Sequence, residues 1–122
     1  MNKHAKNILG SELQSCCMNP ITGFFRDGYC NTNDADQGSH VICATMTAEF
    51  LEFTKSKGND LTTTEPAYQF PGLKPGDKWC VCALRWKEAY EAGVAPPVSV
   101  KSTHEKALKY VAKGILEEFG TD

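Results

Sequence analysis

The stretch Lys74-Pro-Gly-Asp77-Lys-Trp-Cys-Val-Cys82-Ala-Leu-Arg-Trp86-Lys-Glu-Ala-Tyr-Glu-Ala-Gly93 decides the fold. It opens on a Pro-Gly pair, the composition of a type II turn, where proline presets φ and glycine takes the positive φ of the third position. Trp79 to Cys82 then reads as a short strand, and residues 84–92 as a helix stopped by Gly93. Downstream, Ala95-Pro96-Pro97 forces extended backbone, and Val98-Ser99-Val100 alternates as a strand does. Ser102, three residues before Glu105, matches a capping box. The helix it opens would turn Ala107, Leu108 and Val111 inward, and Lys113-Gly114 would break it before a last amphipathic turn over 115–119.

Upstream, Val41-Ile-Cys-Ala44 is a buried apolar segment whose periodicity alone does not choose strand or helix. From Thr47 a helix is expected, with Thr47 as N-cap, Glu49 in the positively polarised first turn and Gly58 as the left-handed exit. Phe50, Leu51 and Thr54 would share its inner face. Residues 14–39 are dominated by turn chemistry, with Phe24 and Phe25 as the only anchors. A loop of that length in a small domain tends to be functional. A short strand is expected around Asn7-Ile8-Leu9, closed by Gly10, after a frayed terminus over 1–6 that holds His4. Two strand-then-helix units and an earlier apolar segment give an α+β class. The expected architecture is one small domain over 1–122, with short strands, two to four helices and long irregular loops.

Composition narrows the function. Thirteen basic against fifteen acidic residues give a net charge of −2, so no electrostatic footprint for nucleic acid or an anionic membrane is present. No secretory leader or membrane-length apolar run is seen, and a soluble cytoplasmic protein is the default. Six cysteines in 122 residues lie below the ~8–10% of disulfide scaffolds. In reducing surroundings, free thiols, a metal site or redox chemistry therefore outrank a disulfide framework.

Cys80 and Cys82 are the most specific local signal. At i and i+2 on a strand both thiols share a side, just before a helix N-terminus that attracts anions and activates thiols. Arg85 and Trp86 fall in the first helical turns. His104, at the opening of another helix, is kept neutral by the macrodipole and suits a general base. Metal binding would join Cys80, Cys82 and His104 with other cysteines or His40. Cys-x-Cys is not the Cys-x2–4-Cys knuckle of structural zinc, and soft thiolates select copper equally well. Arg26 and Asp27, with Asp34 and Asp36 beyond, could make a polar cleft over Phe24 and Phe25, although such acids commonly cap turns through nearby backbone. For the cysteines the plain alternative is core packing.

Several runs are more distinctive than any of these patterns: Pro20-Ile-Thr-Gly-Phe-Phe-Arg-Asp-Gly28, Gly38-Ser-His-Val-Ile-Cys43, Gly58-Asn-Asp-Leu61, Phe70 to Ala83, Arg85-Trp-Lys-Glu-Ala89 and Thr103-His-Glu105. On these the chain, from about Asn7 to Leu116, resembles the bacterial family called domain of unknown function 2237. The resemblance implies a single-domain protein with a small α+β fold, and it carries no catalytic residue, cofactor or substrate onto these positions. The leading expectation is a cytoplasmic binding domain. Its site would gather Cys80, Cys82 and His104 as ligands or reactive groups, Arg85 as an anion anchor, Trp86 as an apolar wall, and the loop bearing Arg26, Asp27 and His40. It would hold a small anionic ligand or a metal, zinc or copper. One rival is a thiol enzyme with Cys80 or Cys82 as nucleophile and His104 as base. Another is a structural or interaction protein with inert cysteines.

Overall fold

The computed structural model describes residues 5–68 and 70–122. His4 and most of the expected frayed terminus lie outside the described residues. Ala5 and Lys6 are not frayed: Ala5 is buried, its carbonyl accepts the Leu13 N–H, and Lys6 bridges Glu12.

Two strands form an antiparallel ribbon, β1 (His40–Thr45) and β2 (Lys78–Cys82). The apolar run from Val41 to Ala44 is therefore strand. Thr45 faces Lys78, Cys43 faces Cys80 and Ile42 faces Val81, and after a bulge His40 faces Cys82. The turn before β2 forms as expected, with Gly76 at φ 97° and the Asp77 N–H on the Lys74 carbonyl.

The far edge of β1 is covered by irregular chain. Thr45 N–H reaches the Pro97 carbonyl, Ser99 N–H the Cys43 carbonyl, and His104 N–H the Val41 carbonyl. The expected strand over 98–100 reduces to bridges at Val98, which pairs with Ala44 and with Gly120 of the C-terminal tail. Val100–Ser102 is already a turn of 3-10 helix. Around Asn7 the expected strand is likewise only two bridges, Lys6 with Glu12 across a tight turn at Gly10 and Asn7 with His104. The Asn7 side chain is committed to closing that turn, accepting from the Leu9 and Ser11 N–H groups.

Helix α1 (Ala48–Ser56) is capped by Thr47, whose Oγ1 accepts the Phe50 N–H at 3.1 Å, and it buries Phe50, Leu51 and Thr54. Helix α2 (Ala83–Glu91) runs straight on from β2 and ends before Gly93 at φ 81°. It contacts α1 and both strands. Trp86 on α2 is wholly buried, stacks on Tyr90, meets Phe119 edge-on and donates its Nε1–H to the Pro96 carbonyl. Burying about 200 Å² of aromatic surface there is one of the larger single contributions to the core.

The capping box expected at Ser102 does not form. The Ser102 hydroxyl donates to the Ser15 carbonyl instead, and the N-cap is His104, whose Nδ1 accepts the Lys106 N–H at 3.0 Å. His104 opens a 3-10 helix over Glu105–Lys109 rather than an α-helix. Its three-residue period keeps Ala107 inside but leaves Leu108 exposed, against expectation. The last helix, α3 (Lys113–Glu118), begins at the residues expected to break the preceding one.

Candidate functional site

Cysteine chemistry shapes the site first. Cys43 and Cys80 are directly opposite in the ladder, so their side chains leave the same face. Each is joined to the long N-terminal loop rather than to the other: Cys16–Cys43 and Cys30–Cys80 are disulfides. The four sulfurs make a second buried cluster, apart from the aliphatic and aromatic core. The expectation that free thiols outrank a disulfide framework is thus corrected. Among the described residues only Cys17 and Cys82 are free, both half-buried. Residues 16–30 are clamped at both ends against the ribbon.

The clamped loop carries Phe24, Phe25 and Arg26 across the outer edge of β2. It is closed by the Gly28 N–H on the Thr22 carbonyl and pinned where Thr22 Oγ1 accepts the Cys80 N–H at 2.9 Å. Gly23 sits at φ 101°, where any Cβ would collide with the Tyr29 carbonyl. Arg26 itself is at φ 54°, a conformation that side chains rarely tolerate and that clusters at functional sites. Its guanidinium donates to the Gly23 carbonyl at 2.6 Å and lies 5.1 Å from the centre of the Trp79 ring. Desolvation by burial lowers the Arg26 pKa from its usual value.

On the other side, the segment beginning at Asn59 and described to Tyr68, together with Phe70, folds back on β2. The Leu73 N–H reaches the Leu61 carbonyl, Glu65 and Phe70 exchange backbone hydrogen bonds, and Phe70 meets Trp79 edge-on at 5.1 Å. Asp60 accepts the hydroxyls of Thr62 and Thr63, which hold its carboxyl well below the usual carboxylate range. Between the two loops and β2 opens a cavity of about 590 Å³, within the range of small-molecule sites. Phe24, Phe25, Phe70, Leu61 and Trp79 supply apolar wall, and Arg26, His40, Asp60, Glu65 and Cys82 supply chemistry.

His40 is held from behind. Its Nδ1 lies 2.6 Å from Asp36 Oδ1, and its backbone N–H donates to Asp36 Oδ2 at 2.9 Å. The Asp36 side chain has no solvent exposure, whereas that of His40 keeps 42%. Thr32 completes the carboxylate's hydrogen bonds at 2.9 Å. The ring packs on Gly38, where a Cβ would stand 2.7 Å from His40 Cε1. Facing His40 across the ladder is Cys82, at the N-cap position of α2, where its sulfur makes no capping hydrogen bond.

Residues 6–120 match the family described as an uncharacterized protein conserved in bacteria, DUF2237. The chain belongs to this family. No curated protein matches it.

The DUF2237 chain gathers part of the expected site and disperses the rest. Arg26, His40, Cys80 and Cys82 line one cavity. Cys80 lies there as half of a disulfide, so it offers neither a thiolate nor an open metal ligand. His104 is on the opposite edge of β1, bridged to Asn7, with its Nδ1 spent as a helix cap. Desolvation by burial lowers its pKa, a neighbouring Lys106 adds to that, and Glu105 opposes. Arg85 donates to the Lys57 carbonyl and pairs with Glu88, tying α2 to the end of α1. Trp86 is core. Asp27 accepts the Tyr29 N–H, the turn-capping role weighed for it. Phe24 and Phe25 form an exposed edge-to-face pair rather than anchors in a core.

The triad of Cys80, Cys82 and His104 therefore does not meet. Among the described residues, the metal-capable group is Cys16, Cys30 and Cys80, with sulfurs within 4.8 Å of one another, all three in disulfides. Those sulfurs could hold a soft metal only after reduction. Sequence reasoning missed Asp36 as the partner of His40, and missed the pairing of His40 with Cys82. The spacing Asp36-x3-His40 was available as a signal, but the ladder register that brings Cys82 opposite was not. No helix among the described residues is long and apolar enough to cross a membrane.

Proposed function

We propose that this protein is a small-ligand binding domain whose cavity takes a compound with a flat apolar body and an anionic group. The observation that carries this is Arg26, held in a left-handed conformation with its guanidinium against Trp79 in a cavity of about 590 Å³. Trp79 and Phe70 offer ring faces and edges for the apolar body, and the guanidinium supplies a fixed positive charge toward a carboxylate or phosphate. The two disulfides support a non-reducing compartment in place of the cytoplasm expected from the sequence.

Titration with 2-naphthoate, followed by tryptophan fluorescence, tests the reading. Saturable quenching is expected, and Trp79→Phe should abolish it. Arg26→Ala should weaken binding by roughly tenfold or more, since hydrogen bonds to charged groups contribute about 1.5–3 kcal/mol. Absence of saturable quenching, or equal affinity in Arg26→Ala, would overturn the proposal.

A further inference from the structure

We infer that Cys82, His40 and Asp36 form a nucleophilic triad, and that the cavity performs thiol-dependent acyl transfer on carbonyl esters or thioesters with an apolar acyl body. The inference rests on the cavity being a ligand site and adds chemistry to it. Three independent features meet here. Cys82 and His40 are partners across the ribbon, beside its bulge, and both line the cavity. The buried Asp36 carboxylate holds His40 through Nδ1, so Nε2 is the ring nitrogen left to exchange a proton with a nucleophile. Cys82 stands at the N-cap of α2 with its sulfur unused, although Ser, Thr, Asp or Asn is the ordinary choice there. A residue that breaks a local rule inside a cavity is where function is expected.

The backbone around His40 fits the same reading. Ser39, the residue before it, is at φ 50°. Its carbonyl accepts both the Val41 N–H and the Ala83 N–H, the first donor of α2. That one carbonyl ties the His40 strand to the start of the Cys82 helix. The other charged groups facing the site are Arg26 from the clamped loop, and Asp60 and Glu65 from the opposite one. Arg85 at the start of α2 is engaged with Glu88.

The step balances without an outside reagent other than water. The Cys82 thiol passes its proton to His40 Nε2 as sulfur attacks the carbonyl carbon. The carbon–sulfur bond forms, the bond to the leaving alcohol or thiol breaks, and His40 returns the proton to that leaving group. Water then adds to the Cys82 thioester, giving its proton to His40, and releases a carboxylic acid and the free thiol. Cys82 and His40 touch the reacting atoms; Asp36 acts through His40 and is a positioning residue.

The test uses the full oxidised chain at pH 7 with 4-nitrophenyl acetate, following nitrophenolate release and mapping the acetyl group by peptide mass. Cys82 should be acetylated roughly a hundredfold faster than Cys17, the other free thiol, which is the size of a general-base contribution. Cys82→Ala should abolish turnover. His40→Ala should lose most of the advantage and regain part of it with added imidazole, a rescue that a merely structural role would not give. Asp36→Asn, which keeps an oxygen acceptor, should slow Cys82 acetylation in the same direction, and without rescue by imidazole because the His40 ring still fills its place. If the Asp36 variant does not fold, the wild-type ratio of Cys82 to Cys17 decides alone. Equal labelling of the two thiols, or an undiminished rate in His40→Ala, would overturn the triad. Naphthoate binding retained alongside equal labelling would sink the triad and leave the binding reading standing. Fast Cys82 acetylation without naphthoate binding would do the reverse.

Discussion

The Cys30–Cys80 disulfide closes a loop of 50 residues and holds the wall that carries Arg26 against Trp79. Replacing both cysteines by alanine removes the cross-link without leaving a buried hydroxyl unsatisfied. The chain-entropy relation, with 50 residues in the loop, gives about 4 kcal/mol of lost stability at 25 °C. The Cys16–Cys43 loop of 27 residues gives about 3.5 kcal/mol by the same relation. The alanines also forfeit buried sulfur contacts, which adds to the loss. With an unfolding entropy of about 2.1 cal/mol/K per residue over this chain, the first loss corresponds to a Tm drop on the order of 15 °C. Urea denaturation of the oxidised proteins, followed by tryptophan fluorescence, measures it. Both pairs lie on one face of the ribbon and their loops overlap, so removing both should cost less than the sum. A loss under about 1 kcal/mol for Cys30→Ala/Cys80→Ala would refute the reasoning, because the chain entropy of so long a loop cannot be that small.

Four further outcomes rest on the same geometry. Unreduced, denatured protein purified without chelators should titrate as two free thiols, Cys17 and Cys82, and elemental analysis should find no stoichiometric zinc or copper; six thiols or one tightly held metal would contradict the pairing. Cys82→Ser should leave stability unchanged or raise it by up to about 1 kcal/mol in urea denaturation, because serine caps a helix better than cysteine; a structural metal ligand would lose stability on that change. Gly38→Ala should displace the His40 ring and slow Cys82 acetylation several-fold while barely moving the Tm, since the obstructed atoms belong to a side chain. His104 must be unprotonated at Nδ1 to cap its helix, and its folded-state pKa is depressed below the usual 6.5 by burial. The unfolded chain therefore binds that proton first as pH falls. Stability is full above about 6.5 and declines as pH drops through the depressed folded value, and His104→Asn, still a cap, should flatten that limb of the curve.

Much of the fold was legible where local chemistry sufficed. Thr47, Gly58, Gly76 and Gly93 mark their boundaries by the conformations that their own residues favour. Local signals failed where tertiary contacts competed for the same groups. Ser102 has the sequence of a cap, but its hydroxyl is taken by the Ser15 carbonyl across the chain. Leu108 sits in a helical pattern of the wrong period. For the site, Cys82, His40 and Arg26 are readable as chemistry-bearing residues, with Cys80 and Cys82 not separable by sequence. Their grouping is not readable, because it depends on the register of β1 against β2 and on which cysteines meet. His104 was drawn into the site for want of that register. Asp36 shares with Asp34 the sequence character of a turn acid, and only its burial separates the two.

The two disulfides interleave along the chain, in the order 16, 30, 43, 80, with each bond joining alternate positions. A backbone break anywhere between residues 16 and 80 is therefore spanned by at least one of them, and between 30 and 43 by both. A protease cutting after Phe25, in the exposed part of the clamped loop, would leave one covalent molecule that separates into two pieces only on reduction. Beyond Cys80 no such bond exists among the described residues. A nick in the segment after α2 would release its fragment to whatever hydrogen bonds and core contacts hold it. Tolerance to cleavage thus changes sharply at the strand that ends in Cys82.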